Sequence, residues 1–328
     1  MIRIIAEIGS VHDGSFGNAL KLIEAAAAAG ADAVKFQTHI AEAESLESAP
    51  APAYFSDEPR LDYFRRTAFT PEQWRKLAAY AKGNGIVFLS SPFSLEAVDL
   101  LEEIGMAAYK IPSGEVSNKP LLERVARTGK PVLLSSGMSG WDELDLAVAT
   151  VRNACATTVM QCSSTYPCPP ERVGLNVIRE MSDRYGLPVG YSDHTMGFAA
   201  PVAAAALGAT VIEKHFTFSR LMYGSDARHS MQPDEFKAMA HALRDVWTML
   251  GNPVSKADII PYADMKRIFE KSVVTARAIA SGETVTADML AFKKPGDGIP
   301  AREYARLIGR NARRALPANH KISEDDLN

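Results

Sequence analysis

Lysine, glutamate, histidine and serine residues recur in short groups through the first two thirds of this 328-residue chain. Two of these groups place polar side chains two residues apart, Lys35 with Gln37 and Glu213 with His215. Residues two apart in an extended strand point to the same face. The spacing therefore predicts strands that each present two polar side chains to one place.

Cations and hydroxyl groups are prominent among these residues, which favours an anionic ligand. The candidate binding residues are Lys35, Lys110, Ser91, Ser113, Ser135 and Ser192. Gly114 and Gly137 stand beside them and allow the backbone to approach a ligand closely. Ammonium groups, hydroxyls and glycine-flanked amides are typical of sites for small phosphorylated or carboxylated molecules.

His194 and His215 are candidate metal ligands, because they follow neighbouring apolar runs in corresponding positions. Two imidazoles with oxygen ligands and water suit a borderline divalent ion such as Mn²⁺. A closed zinc site needs more nitrogen or sulfur ligands. The alternative is that both histidines only support other ligand-binding groups.

Glu7 and Glu115 are candidates for general acid or base catalysis, or for orienting a water molecule. The alternative is that these two glutamates have a structural role and form ion pairs with Lys35 and Lys110. Both roles can coexist in one site. A later loop contributes Asp226, whose carboxylate could bind hydroxyl groups.

These residues end eight short apolar runs, which are typical of buried strands. The predicted strands are Ile2–Ile8, Ala33–Gln37, Ile86–Ser90, Ala108–Ile111, Val132–Ser135, Thr158–Cys162, Val189–Ser192 and Thr210–His215. Between the strands, apolar residues recur every three or four positions, as in amphipathic helices. Eight such units predict an α/β fold, a (β/α)8 TIM barrel with its site at the carboxyl ends of the strands. A doubly wound open sheet is disfavoured, since no GxGxxG turn follows the first strand.

The chain changes character after Gly251. We expect residues 1–251 to form the barrel, residues 252–270 a linker, and residues 271–328 a small β-rich domain. In the last region Arg277–Leu290 aligns without gaps on Arg314–Leu327. This internal repeat predicts a pseudo-twofold domain with a thin core.

Composition and charge argue against nucleic-acid-binding and membrane-spanning proteins. The chain has 36 Lys+Arg and 39 Asp+Glu, a net charge of −3, which gives no reason to expect nucleic acid as a partner. Its three cysteines are an odd number and favour a reducing compartment. The run Phe198–Ile212 is shorter than the roughly 18 apolar residues of a membrane span. We expect a cytoplasmic protein without a membrane partner.

Several other residues have structural interpretations at this point. We expect His229, His241 and His320 to be structural or surface residues. Cys162 and Cys168 have no activating histidine near them in the sequence, which argues against a nucleophilic cysteine.

An ordered series of motifs resembles the sialic acid (N-acetylneuraminate) synthase family. The motifs are Glu7-Ile-Gly-x-x-His-x-Gly14, Lys35-x-Gln-Thr-His39, Ser91-Pro-Phe-Ser94, Tyr109-Lys-Ile-x-Ser-Gly-Glu115, Leu134-Ser-x-Gly-Met138, Ser192-Asp-His-Thr195, Glu213-x-His-Phe-Thr217 and Lys294-Pro-Gly-x-Gly298. The match runs over essentially the whole chain. It includes the C-terminal repeat, which is similar to the antifreeze-like (β-clip) domain of those enzymes.

The resemblance implies a transferase that condenses phosphoenolpyruvate with an open-chain N-acylated hexosamine, giving a nine-carbon 2-keto-3-deoxy acid and phosphate. Residues matching His194 and His215 would hold Mn²⁺ or Mg²⁺, and the six anion-binding candidates would hold phosphoenolpyruvate. Gln37, Tyr166 and Asp226 would contact the sugar. The resemblance also implies a domain-swapped homodimer, in which the C-terminal domain of one chain caps the barrel of the other.

Three positions depart from the family pattern. Val11 replaces an asparagine before His12, and Ser164 replaces an asparagine that would reach further into the site. Lys294 replaces an arginine that meets the N-acyl group of the acceptor, and a lysine lacks the planar guanidinium fork. A different nine-carbon acid is therefore possible as the product.

Two other functions compete with this interpretation. One is a related phosphoenolpyruvate-dependent synthase that makes a seven- or eight-carbon sugar acid, although those enzymes lack the C-terminal domain. The other is a polysaccharide-assembly protein that has lost catalysis, which the presence of Glu7, Lys110 and Glu115 disfavours.

Overall fold

The computed structural model describes residues 3–50 and 58–328. The described chain divides into two compact units, Met1–Asn252 and Pro253–Asn328. Each unit has its own cluster of buried apolar side chains. The first unit carries the polar groups predicted for the site, apart from Lys294.

Eight parallel strands close into a barrel in the first unit, each hydrogen-bonded to the next and the eighth to the first. The strands are β1 Ile4–Gly9, β2 Ala33–Thr38, β3 Val87–Pro92, β4 Tyr109–Ile111, β5 Val132–Ser135, β6 Thr157–Cys162, β7 Val189–Asp193 and β8 Val211–His215. The predicted (β/α)8 barrel is confirmed. Ile2, where the first predicted strand begins, lies outside the described residues.

Helices connect the barrel strands, and most of them pack against the outer faces of the strands. They are α1 Phe16–Ala28, α2 Ala41–Glu44, α3 Arg60–Thr67, α4 Pro71–Gly83, α5 Leu95–Ile104, α6 Lys119–Ala126, α7 Trp141–Val151, α8 Asn176–Tyr185, α9 Ala199–Ala206 and α10 Pro233–Gly251. Capping residues mark where helix α4 begins. The Thr70 side chain accepts a hydrogen bond from the Gln73 backbone amide, and the Gln73 side chain accepts one from the Thr70 backbone amide. This capping box, with Pro71 at the first helical position, satisfies two backbone donors that the helix leaves unpaired.

The alternation of side chains along each strand explains how one barrel holds both a core and a site. In β1 every residue is buried, and Ile4, Ala6 and Ile8 belong to the apolar cluster under the helices. The intervening Glu7 points the other way, because successive side chains in a strand face opposite sides. In the sheet register Glu7 pairs with Lys35 on one side and with His215 on the other.

The second unit contains a short helix and a two-stranded antiparallel sheet. Its elements are α11 Ala263–Phe269, β9 Ser272–Thr275 and β10 Leu290–Lys293. Helix α11 falls within residues 252–270, the stretch predicted as a linker, and groups with the second unit.

The internal repeat folds as a pseudo-twofold pair. Ile279 and Leu316, equivalent positions in the two copies, exchange both backbone hydrogen bonds at 2.9 and 2.8 Å. Both side chains are buried, and so are the equivalent pair Val285 and Ile322. The core of this unit is therefore assembled from matching positions of the two copies. Among the described residues, no helix is both long and apolar enough to cross a membrane.

Candidate active site

A cavity of about 650 Å³ lies at the carboxyl ends of the barrel strands. Thirteen of the predicted site residues line it: Glu7, Lys35, Gln37, Lys110, Ser113, Glu115, Ser135, Ser164, Tyr166, Ser192, His194, His215 and Asp226. Two predicted residues do not belong to this lining, Ser91 and Lys294. Parallel strands in a closed barrel bring residues from distant parts of the chain to one end, which explains the convergence.

Four buried charges form the inner end of the cavity, and we call Lys35, Lys110, Glu7 and Glu213 the charge quartet. The ammonium of Lys35 lies 2.7 Å from Glu7 Oε2 and 3.9 Å from Glu213 Oε1. The ammonium of Lys110 lies 2.7 Å from Glu213 Oε1. All four side chains are nearly inaccessible, so their charges are compensated by one another rather than by bulk water.

The two carboxylates of the charge quartet have different proton affinities. Burial raises the pKa of Glu7 to about 7, because the attraction of Lys35 offsets only part of the desolvation. Burial would also raise the pKa of Glu213, but Lys110 and Lys35 together outweigh it and lower that pKa to about 2. Glu213 is thus held as an anion, whereas Glu7 can gain or release a proton near neutral pH.

Ser91 lies behind the charge quartet and is fully buried. Its hydroxyl accepts a hydrogen bond from the Lys35 ammonium at 3.2 Å. Ser91 thus contacts Lys35 directly, and its contact with a ligand stays a prediction. Lys294 belongs to the second unit, where its ammonium lies 4.9 Å from the centre of the Phe269 ring.

Hydroxyl groups line the wall next to the charge quartet, and two of them pack against Gly137. The Gly137 amide donates to Ser113 Oγ at 3.1 Å. A side chain at position 137 would clash, since a Cβ atom there would lie 2.4 Å from Ser164 Oγ and 2.6 Å from Ser113 Oγ. The packing of the site itself therefore requires glycine at position 137, and the close approach of its backbone to a ligand stays a prediction.

His194 and His215 lie next to each other, with ring centres 5.5 Å apart. His194 Nδ1 donates to the Ser163 carbonyl at 2.7 Å. This contact orients the ring and leaves Nε2 as the nitrogen that can bind a metal. Nδ1 of His215 is buried and has no hydrogen-bond partner among the described residues. Two oriented imidazoles fit a divalent cation. No cluster of three or more His, Cys, Asp or Glu side chains suited to a metal occurs in the described part of the chain.

The sugar-binding candidates lie around the charge quartet and the histidines. The Gln37 amide donates to Glu7 Oε1 at 2.8 Å. The Tyr166 ring packs on His194 with ring centres 4.0 Å apart. Asp226 lies against Gly9, where a Cβ atom would come within 2.5 Å of Asp226 Oδ2. Gly9 also has φ +53°, a conformation that favours glycine.

Glu115 occupies a separate part of the lining. It accepts a hydrogen bond from Asn118 Nδ2 at 2.7 Å, and burial raises its pKa. The predicted ion pair between Glu115 and Lys110 does not form, because Lys110 pairs with Glu213 instead. Glu7 does pair with Lys35, as that interpretation expected.

The cavity includes residues that sequence reasoning did not select. They are Ser10, His39, Arg60, Tyr63, Phe64, Phe93, Pro112, Met138, Cys162, Glu213, Ser225 and His229. Gly114, which the sequence did place beside the binding residues, also lines the cavity. His229, expected to be a structural or surface residue, lies in this lining. Glu213 carried a detectable signal, since it lies two residues before His215 on one strand. The aromatic residues gave no such signal in the sequence, because their loops meet only in the folded chain.

Cys162 has a histidine neighbour that the sequence did not indicate. Its Sγ lies 3.9 Å from His194 Nδ1, although 32 residues separate them. Burial would raise the pKa of the thiol, but His194 and Lys110 outweigh it and lower that pKa.

Comparison with known proteins finds relatives that match nearly the whole chain. The NeuB family model matches residues 22–255, and a SAF domain model matches residues 270–328. The N,N'-diacetyllegionaminic acid synthase of Campylobacter jejuni is 38% identical over 98% of this chain and 98% of its own length. The human N-acetylneuraminate-9-phosphate synthase is 34% identical over 98% of this chain and 91% of its own.

A solved structure supports the same relationship. The N-acetylneuraminic acid synthetase of Leptospira borgpetersenii superimposes with a TM-score of 0.73 at 29% identity. The superposition covers 80% of this chain and 90% of that one.

Proposed function

The chain belongs to the NeuB family, and from this premise we propose that it condenses phosphoenolpyruvate with an N-acylated hexose in its open-chain aldehyde form. The products are a nine-carbon 2-keto-3-deoxy acid, such as N-acetylneuraminate or a related nonulosonic acid, and phosphate. As a member of this family the chain is a phosphoenolpyruvate-dependent, carbon–carbon bond-forming synthase, so the predicted class of enzyme is confirmed. The identity of the acceptor belongs to the proposal.

The charge quartet is the observation that carries the proposal. Phosphoenolpyruvate has a carboxylate and a phosphate close together. The two buried ammonium groups lie at the inner end of the cavity, where such a molecule would bind. Ser113 and Ser135 add hydroxyl groups that can donate to phosphate oxygens. Ammonium and hydroxyl donors in a site shielded from water bind anions more strongly than they do at a surface.

The residues around the charge quartet suit the steps of this reaction. A bond forms between C3 of phosphoenolpyruvate and the aldehyde carbon, positive charge develops at C2, water adds there, and phosphate leaves with cleavage of the C2–O bond. Glu213, held as an anion, stabilises the positive charge of the lysines that bind the substrate. Glu7, with its pKa near neutrality, can give a proton to the oxygen of the former aldehyde. Glu115 is the candidate for activating the water.

We further propose a divalent cation, Mn²⁺ or Mg²⁺, bound by His194 and His215. The oriented Nε2 of His194 and the unpaired Nδ1 of His215 support this assignment. When bound, the cation would polarise the carbonyl group of the acceptor as a Lewis acid. Gln37, Tyr166 and Asp226 would then hold the hydroxyl groups of the sugar and exclude water from the reacting carbon.

The assembly and location of the protein are also proposals. Several large apolar side chains of residues 249–269 are exposed, which supports a homodimer in which a second chain covers them. They are Met249, Leu250, Ile259, Ile260, Tyr262, Met265, Ile268 and Phe269. The three cysteines are buried free thiols, which supports a reducing, cytoplasmic environment.

Phosphate release from phosphoenolpyruvate tests the function. The purified chain is incubated with Mn²⁺ and a panel of acceptors: N-acetylmannosamine, its 6-phosphate, a 2,4-diacetamido-trideoxyhexose, mannose and arabinose. We expect phosphate release with at least one N-acylated hexose, a nine-carbon product by mass spectrometry, and loss of turnover with a chelator that Mn²⁺ reverses. Turnover only with the five-carbon sugar would favour the shorter-chain synthase, and turnover with none would favour a non-catalytic homologue.

A further inference from the structure

An imidazole ring that the proposed mechanism does not use lies behind Gln37. His39 is sandwiched between two phenylalanine rings, with its centre 3.9 Å from that of Phe64 and 4.1 Å from that of Phe93. The ring planes are within 14° and 22° of parallel. Its side chain is only 7% exposed. The stacking fixes the plane of the imidazole and leaves only its two nitrogen atoms to make polar contacts.

Both nitrogen atoms of His39 face acceptor oxygens. Nδ1 lies 3.0 and 2.9 Å from the two carboxylate oxygens of Glu44, whose side chain is 4% exposed. Nε2 lies 3.1 Å from Oε1 of Gln37. An ionised carboxylate can only accept hydrogen bonds, so Nδ1–H donates to Glu44 and Nε2–H to Gln37.

The contact with His39 determines which way the Gln37 amide points. The two ends of a glutamine amide have nearly the same shape, so sterics alone do not orient it. Because His39 donates to the oxygen end, the nitrogen end is turned toward Glu7, where it donates to Oε1 at 2.8 Å. Glu7 is thereby held from two sides, by the Gln37 amide and by the Lys35 ammonium 2.7 Å from its other oxygen.

We propose that His39 and Glu44 are positioning residues for the reaction: the Glu44–His39 pair fixes the amide of Gln37, and Gln37 in turn fixes the carboxylate of Glu7 toward the substrate. This inference rests on the proposed function for its kinetic consequence. Its geometric content, a continuous series of contacts from Glu44 to Glu7, does not depend on the identity of the acceptor.

The proposal is tested by steady-state kinetics on matched variants. H39F keeps an aromatic ring between Phe64 and Phe93 and removes both N–H donors. We expect a fall in kcat of about 10- to 100-fold, the range for a misplaced catalytic group, with the KM for phosphoenolpyruvate changed less than about twofold. E44A should resemble H39F. E44Q should keep at least about a third of the activity, since its amide oxygen still accepts from Nδ1–H.

A double-mutant cycle separates positioning from general damage to the fold. If His39 acts through Gln37, then adding H39F to Q37A costs no more than about twofold in kcat beyond Q37A alone. Thermal unfolding of each variant shows whether the barrel is intact. Multiplicative losses in the double variant, or E44Q as impaired as E44A, would overturn the proposal.

A crystal structure of H39F provides a readout that needs no turnover. We expect the Gln37 amide to turn away or to occupy two orientations, and its 2.8 Å contact with Glu7 to be lost. An unmoved Gln37 amide would overturn the positioning role. If the wild-type chain turns over no acceptor, the proposed function fails, while this comparison still decides whether His39 orients Gln37.

Discussion

The inner end of the cavity shows how surroundings give identical side chains different chemistry. Glu7 and Glu213 both lie beside Lys35, yet only Glu213 also contacts Lys110 and accepts from the Ser192 hydroxyl at 3.1 Å. The additional positive charge keeps Glu213 ionised, whereas burial raises the pKa of Glu7 to about 7 because the lysines offset only part of it. One carboxylate therefore serves as a fixed counter-charge, and the other is suited to proton transfer.

Gly137 leads to a prediction at this scale. In G137A the added methyl would meet Ser113 and Ser164 closer than van der Waals contact allows, so both hydroxyl groups must move. We expect kcat/KM for phosphoenolpyruvate to fall by about 100-fold, as for other displacements near 1 Å. G140A is the control, because a Cβ atom there has nothing within 4 Å. Equal activity of the two variants would show that the wall at Gly137 does not bind substrate.

A second prediction concerns the pH dependence of stability. His12 is 2% exposed, and burial lowers its pKa to about 3, with a smaller contribution from His39. Its Nδ1 accepts a hydrogen bond from the Gly14 amide at 3.1 Å, a contact that the charged ring would lose. Between about pH 6.5 and pH 3 the unfolded chain binds a proton that the folded chain does not. The free energy of unfolding therefore falls with falling pH, by about 2 kcal/mol at pH 5 from this group.

Urea unfolding at pH 7 and pH 5 measures this effect. H12Q, which can still accept from the Gly14 amide, should lose about 2 kcal/mol less than the wild type between these pH values. H241Q is the control, since the His241 side chain is 81% exposed. The prediction is wrong if H12Q and the wild type show the same dependence.

At the scale of elements, strands β7 and β8 carry polar residues on both faces. Ser192 and His194 point into the cavity, while Asp193 lies on the outer face with Lys214 of β8. The Lys214 ammonium donates to Asp193 Oδ2 and to the carbonyl groups of Thr195 and Gly197, the last at 3.1 Å. This fully buried lysine therefore ties the loop after β7, which carries His194, to the neighbouring strand.

The variant K214M tests whether Lys214 holds the loop after β7 in place. Methionine has similar length but no donors, and it leaves Asp193 buried without its counter-charge. We expect a loss of about 3 kcal/mol in the free energy of unfolding, the low end for a broken buried ion pair. Mn²⁺ affinity, measured by calorimetry, should also fall. K76M removes an exposed pair with Glu72 and should change neither quantity measurably. Unchanged Mn²⁺ affinity in K214M would mean that the loop holds His194 without Lys214.

At the scale of the whole molecule, the chain combines a large barrel with a small unit. The barrel has an extensive apolar core of its own, whereas the core of the second unit consists of about a dozen side chains. A unit of this size is marginally stable by itself and gains from packing against another surface.

Removal of the second domain tests this arrangement. A chain ending at Phe269 should keep the circular dichroism and cooperative unfolding of a barrel, because the core of the first unit is complete without it. We expect its condensation activity to fall to background, since the proposed homodimer needs the C-terminal domain to cover the site. Full activity of the shortened chain would exclude a role for the domain in catalysis.

The sequence by itself determined the strands, the repeat and the positions of most site residues. Each follows from a local rule: alternation along a strand, caps at helix ends, and the convergence of strand ends in a barrel. The tertiary structure alone decided the partners. Lys110 pairs with Glu213, 103 residues away, and not with nearby Glu115. Such pairs depend on barrel closure and on loops that meet across the cavity. A linear pattern records which side chains point inward, but it does not record which of them meet.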